Sequence, residues 1–170
     1  MNETEQMQIF DEWLTEHRGV FFKVVRSFAF NSHDQDDLFQ EISTQVFHSI
    51  LKFNGDSKVS TWIYRVALYS AMRWSKKERR HQKHHESIEE RDYALRPNSG
   101  NQNAQLDWLY EQIAKLNEVD RSLTLMMIDG YSYAEISKAL GITESLVGVR
   151  LNRIKKRFTE QSKTIKENGI

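Results

Sequence analysis

Cysteine is absent from all 170 residues, and proline occurs once, at Pro97. No disulfide framework is therefore expected, and a reducing compartment fits the composition best. No apolar run approaches the roughly 20 residues needed to cross a bilayer, so direct membrane insertion is not expected. The N-terminus shows no positively charged, apolar signal segment, which leaves a cytoplasmic location as the expectation. Glycine is also sparse, with 7 residues. No glycine-rich phosphate loop and no nucleophile–base constellation stand out, so neither catalytic residues nor a cofactor are expected.

What the chain does have is charge, and its placement says more than its sum. The formal net charge is zero. Residues 1–41 nevertheless carry nine acids (Glu3, Glu5, Asp11, Glu12, Glu16, Asp34, Asp36, Asp37, Glu41) against three bases, Arg18, Lys23 and Arg26. Basic residues collect later, at Arg73, Lys76, Lys77, Arg79, Arg80 and Lys83, and again at Arg150, Arg153, Lys155, Lys156 and Arg157. Two separated basic segments suggest two contacts with phosphate, each releasing counterions on binding. The competing interpretation of each is a solvated helix face.

Apolar residues recur at helical spacing along most of the chain. Val20, Phe21, Val24, Val25 and Phe28 form one such set, Phe39, Ile42, Val46 and Ile50 a second, and Ile63, Val66, Ala67, Ser70 and Trp74 a third. Beyond residue 105 come Leu106, Leu109, Ile113 and Leu116, then Leu123 to Ile128, then two short helices around Ile136 and Leu151. Sustained alternation of period two is missing. The expected fold is all-α, with at least three helices before a break and a second helical set after it. The break is marked by Arg96-Pro97-Asn98-Ser99-Gly100-Asn101-Gln102-Asn103, which has turn chemistry and no periodicity. Two small helical domains, residues 1–81 and 105–170, would thus be joined by a flexible linker over 82–104.

The clearest local signals lie between Asp129 and Val147. Gly130 can take the left-handed conformation that ends a helix. Ser132 and Glu135 have the spacing of a capping box, predicting a short helix from about residue 133. Gly141 stops it, and Thr143 offers an oxygen to cap the next helix. So short a turn forces the two helices to cross steeply, as in a helix-turn-helix. On the second helix Val147, Leu151, Ile154 and Phe158 would be buried. Residues near its start are best placed for base edges, since recognition helices aim their N-terminal ends at the groove. Glu144, Ser145, Val149 and Arg150 are assigned to bases on this ground, with Arg150 as a guanine fork. Arg153, Lys156 and Arg157 are assigned to phosphates. For Gly148 two explanations stand side by side, a close approach to DNA and a packing contact with the preceding helix.

In the first half, Asp34-Gln35-Asp36-Asp37-Leu38-Phe39-Gln40-Glu41-Ile42 is followed by Phe53-Asn54-Gly55-Asp56-Ser57-Lys58-Val59-Ser60-Thr61-Trp62-Ile63-Tyr64-Arg65-Val66-Ala67. These segments resemble regions two point two to two point four of the extracytoplasmic-function (ECF) sigma factors, of the sigma-70 family. Ser145 to Arg157 is similar to the same family's region-four recognition helix. The resemblance implies a transcription initiation factor whose partners are core RNA polymerase, promoter DNA and an anti-sigma factor. It implies that the helix carrying Asp37, Leu38, Gln40 and Glu41 docks on the polymerase clamp helices. It further implies that the loop with Asn54, Asp56, Ser57 and Lys58 receives a flipped minus-ten base, while the next helix tracks the opened strand. Trp62, Arg65, Tyr69, Arg73 and Lys76 recur there every three or four residues, with Lys77 adjacent, interleaving aromatics and cations as a single-strand platform requires. Core packing is the competing role for Trp62 and Trp74.

Energetics fix what such a factor can do alone. Opening a base-pair step forfeits roughly 1.4 kcal/mol of stacking, and a base stacked on an aromatic returns about 1–3 kcal/mol. A few aromatics cannot hold a bubble open, so strand separation needs polymerase. A slack tether of some two dozen residues spans roughly 25–30 Å on average, enough to join two promoter elements and raise their joint affinity. Against the family pattern, Ser43 stands where an aromatic is usual, Tyr69 where asparagine is usual, and Gly148 where lysine is common. Regulatory extensions are not expected, since little chain follows Phe158.

Two other classes compete. A stand-alone helix-turn-helix regulator accounts for residues 106–158 and leaves the first-half motifs unexplained. A zinc enzyme could use His81, His84 and His85, although so polar a segment reads more simply as a solvated tether, and no metal site is expected.

Overall fold

The computed structural model describes residues 1–84 and 104–167, with side chains given for 1–81 and 105–163. All regular structure among them is helical. The chain divides into two compact units, Met1–Asp107 and Trp108–Ile170.

The first unit holds α1 (Glu3–Glu16), α2 (Arg18–Phe28), α3 (Ser32–Ser49), a single 3-10 turn at Ile50–Lys52, and α4 (Val59–His84). Asparagine side chains start two of these helices by accepting amide protons that the first turn would otherwise leave unpaired. Asn2 accepts from the Glu5 amide at 2.8 Å, and Glu5 returns the bond to the Asn2 amide at 3.0 Å. Asn31 accepts from the Asp34 amide at 2.8 Å. The core is a closed set from three helices: Phe21, Val24, Val25 and Phe28 of α2, Leu38, Ile42 and Val46 of α3, and Ile63, Tyr64, Ala67, Leu68 and Ala71 of α4. Each large apolar side chain so enclosed stabilises the unit by about 1.5–3 kcal/mol. α4 packs against both α2 and α3 and is the central element of the unit.

α1 was not anticipated by apolar spacing, because it buries only Gln6 and Trp13. Gln6 donates from its amide to the Phe47 carbonyl at 2.8 Å. Trp13 meets Phe53 edge-on with ring centres 5.4 Å apart.

α5 (Ala104–Ala114) leads into the second unit, followed by α6 (Glu118–Ile128), α7 (Tyr133–Leu140) and α8 (Glu144–Glu167). Ile113, Leu116, Leu123, Leu125, Met126, Ile136, Val147, Leu151 and Ile154 form its core. The expected punctuation of α7 is all present. Ser132 and Glu135 form the reciprocal box, Gly141 ends the helix at φ 68°, and Gly130 turns at φ 83°. Thr143 accepts from the Leu146 amide at 3.2 Å and starts α8. That helix is 24 residues long rather than short, since no proline or glycine interrupts it after Gly148.

Arg121 is the residue of this unit that apolar pattern could not reveal. Only 6% exposed, it donates to the carbonyls of Ile113 at 3.3 Å, Ala114 at 2.7 Å and Leu116 at 2.9 Å. Ile113 and Ala114 close α5 and Leu116 lies in the turn that follows, so the guanidinium gathers carbonyls at and just beyond the negative end of that helix.

α4 runs to His84, three residues into the expected linker. Residue 104, its last, begins α5, and 85–103, including Pro97 and His85, lie outside the described residues.

Candidate nucleic-acid interface

In the second unit α7 and α8 cross through the turn at Gly141 and Ile142, and the buried stripe Val147, Leu151 and Ile154 holds α8 against α6 and α7. At 3.6 residues per turn the opposite stripe is Ser145, Val149, Asn152, Arg153 and Lys156, and all five are exposed. Glu144 and Arg157 are exposed beside it. Asn152 was not singled out in the sequence, although its side-chain amide can pair with a base edge. Gly148 faces α7, where an added methyl group would lie 3.4 Å from the Tyr133 ring. Of the two explanations for this glycine, packing on the preceding helix is the one with a visible neighbour.

Arg150 occupies a different place from the one expected. Its guanidinium pairs with the Asp120 carboxylate at 2.7 Å, and both side chains are largely covered. Asp120 is itself fixed at the start of α6, where Asn117 caps its amide at 3.0 Å. In this structure the side chain assigned to a guanine clasps α8 to α6 through one nitrogen. We expect Arg150→Ala to cost the unit about 1.5–3 kcal/mol, the worth of a charge-assisted bond, as read by denaturant unfolding. Arg153→Ala, on the open stripe, should leave stability within about 0.5 kcal/mol.

In the first unit, the turn before α4 is shaped by Gly55 at φ 83° and by Asn54, which accepts from the Asp56 amide at 3.3 Å and donates to the Asp56 carboxylate. Asn54, Asp56 and Lys58 are exposed and Ser57 is half-buried. Along α4 the residues Trp62, Arg65, Tyr69, Arg73 and Lys76 share the side opposite the core. Arg65, Tyr69, Arg73, Lys76 and Lys77 are exposed. The Arg65 guanidinium lies 6.0 Å from the centre of the Tyr69 ring. Trp62 is half-buried, donating from its indole to the Ser49 hydroxyl at 3.0 Å and packing on Phe53 at 5.6 Å. It is thus an anchored ring at the edge of the core. Between this side of α4 and the end of α3 runs an open groove of about 400 Å³, lined by His48, Lys52, Trp62, Arg65, Tyr69 and Arg73 among others. His48 and Lys52 escaped the sequence reading because they come from a different helix end, brought to α4 only by the fold.

On α3, Asp37 and Gln40 are exposed and Glu41 is half-buried, accepting from the Gln45 amide at 3.1 Å. His33 lies 3.5 Å from Asp37 one turn earlier. Leu38 is fully enclosed. Its assignment as a docking contact is corrected, because its side chain anchors α3 in the core and leaves the neighbouring acids outward. Beside them Phe22, 48% exposed, stacks on Phe39 at 5.5 Å under the Arg18 guanidinium at 5.1 Å.

Residues 13–81 match the family model for sigma-70 region 2, and residues 106–158 that for sigma-70 region 4. The chain belongs to the sigma-70 family. Within it the chain is an ECF sigma factor, which binds core RNA polymerase and directs promoter-specific transcription initiation. It is 25% identical over 175 aligned residues to the ECF RNA polymerase sigma factor SigX of Bacillus subtilis (strain 168), covering 98% of this chain and 88% of that one. It is also 25% identical over 133 residues to the RNA polymerase sigma factor YlaC of the same organism, covering 73% and 77%. Two solved structures share the fold at 19% identity. One is CnrH in complex with the cytosolic domain of CnrY, with TM-score 0.65 over 93% of this chain and 90% of that one. The other is the sigma factor RpoE in its co-crystal with the anti-sigma factor NepR from Bartonella quintana, with TM-score 0.68 over 92% and 98%.

Against this family, the sigma factor keeps the order of acidic helix, polar turn, aromatic-basic helix and helix-turn-helix. No helix among the described residues is long and apolar enough to cross a membrane. His81 is exposed at the end of α4. The side chains of His84 and His85 lie outside the described set, so the proposed histidine cluster has no structural account.

Proposed function

We propose that this sigma factor divides its work along the chain: residues 1–81 dock on polymerase and capture the minus-ten strand, 82–104 tether, and 105–170 read the minus-thirty-five duplex. The observation that carries the reading is the outward side of α4, where exposed cations and Tyr69 interleave over a groove while the opposite side fills the core. A single strand needs that combination, since cations follow its phosphates and a ring stacks on a base. Asp37, Gln40 and Glu41 form the polymerase contact, their charge suited to basic residues on the partner. Phe22 extends the same contact with exposed apolar area. Asn54, Asp56, Ser57 and Lys58 form the base-receiving turn. Glu144, Ser145, Val149, Arg153, Lys156 and Arg157 contact the duplex. No covalent chemistry is involved, since the factor acts in the cytoplasm by capturing opened strand as polymerase separates it.

Release from an anti-sigma factor is the proposed control, by likeness to RpoE, which is solved with one. Transcription in vitro with purified core polymerase and a pool of genomic promoter fragments tests the whole reading. Transcripts that appear only with this protein are expected. Their absence, with no retention on immobilised core polymerase, would point to a stand-alone helix-turn-helix regulator.

A further inference from the structure

We infer that the base-reading part of α8 is specific for A·T pairs, with Val149 covering a thymine methyl group and Asn152 pairing with an adenine edge. The inference rests on the reading of α8 as the duplex reader and adds what it reads. Val149 is 54% exposed at the middle of the outward stripe, between Ser145 one turn before and Asn152 one turn after. A valine there meets no protein core, because Val147, Leu151 and Ile154 fill the opposite side. Leu146, 39% exposed, extends the apolar area on the same end of the helix. Arg153, Lys156 and Arg157 continue α8 as exposed cations, so phosphate on either side would hold this apolar spot against the groove floor.

The major groove offers one apolar group, the C5 methyl of thymine, and the side-chain amide of asparagine matches adenine N6 and N7. Residues three apart on a helix rise about 4.5 Å, close to the roughly 3.4 Å between stacked bases. Val149 and Asn152 can therefore address the same or adjacent pairs. The arginine nearest the helix start, Arg150, is turned to Asp120 at 2.7 Å, away from the stripe that holds Val149 and Asn152.

The test uses holoenzyme reconstituted from the full chain and core polymerase. A duplex selected by it from a randomised minus-thirty-five segment is remade with uracil at each thymine in turn, which removes only the methyl group. Loss of about three- to fivefold in affinity at one or two positions is expected, the worth of one buried methyl-sized group. Val149→Ala should bind thymine and uracil duplexes equally, and Asn152→Ala should lose discrimination against 7-deaza-adenine at a neighbouring position. If binding stays sequence-selective and salt-dependent but no thymine responds, the inference is overturned and the duplex-reader assignment stands. If the minus-thirty-five segment yields no selected sequence at all, both fall.

Discussion

Replacing Arg121 by alanine is expected to remove about 3–5 kcal/mol from the second unit, as much as truncating a fully buried core side chain. The side chain joins the end of α5 to the start of α6 through bonds to Ile113, Ala114 and Leu116. Each is charge-assisted, and removal leaves carbonyls at a helix end with reduced access to water. A domain of this size has only several kcal/mol in total, so the variant should populate an unfolded second unit under ordinary conditions. Lysine at 121 should rescue little, because one ammonium cannot reproduce a planar fork aimed at three acceptors. Unfolding in urea, followed at the indole N–H signal of Trp108, reports this unit alone, since the other tryptophans, Trp13, Trp62 and Trp74, precede residue 107. A midpoint unchanged from the parent would show that water replaces the arginine without cost. The first unit, followed at Trp62, should keep its midpoint in either case.

The contrast between Arg121 and Ser132 shows what a sequence displays and what it conceals. Ser132, Glu135, Gly141 and Thr143 act on amides or carbonyls within a few residues of themselves, so their roles follow from order alone. The all-α class and the two helical sets follow from apolar spacing for the same reason. Arg121 and Arg150 act on carbonyls and a carboxylate that the fold brings from elsewhere. The Arg150 partner is 30 positions away, and nothing local separates it from a DNA-reading arginine. Leu38 was recoverable: Leu38, Ile42 and Val46 follow helical spacing, and their common burial shows the true register of α3. The expected set was right at Ile42, Val46 and Ile50, but starting it at the half-buried Phe39 left Leu38 among the contacts. α1 was concealed for a different reason. Its Phe10, which packs on Phe47 at 5.8 Å, and its Trp13 are three residues apart, but Gln6 fills the place one turn earlier where an apolar residue would have extended the stripe. Within the candidate interface, the α4 cations were legible because they share one element, whereas His48 and Lys52 reach the same groove from α3 and the turn after it.

Removing the charges of Arg65, Arg73 and Lys76 together is expected to weaken holoenzyme binding to an opened promoter on the order of 100-fold near 0.1 M salt. All three are exposed on the outward side of α4, so the triple alanine variant should fold as the parent does. For single-stranded DNA each phosphate contact contributes about 0.7 to the slope of log affinity against log salt, and the slope should flatten by about 2. Tyr69→Ala separates the two components of the groove. Loss of its ring should cost about 1–3 kcal/mol of strand binding while the salt slope stays that of the parent, because stacking releases no counterions. The measurement is a titration of fork-junction DNA with a single-stranded minus-ten tail against holoenzyme at four salt concentrations. Retention of the variants on core polymerase serves as the control, since Asp37, Gln40 and Glu41 are untouched. An unchanged slope in the triple variant would place the strand elsewhere on the unit, whatever happened to affinity. A flattened slope with normal Tyr69→Ala binding would leave base stacking in the groove to Trp62.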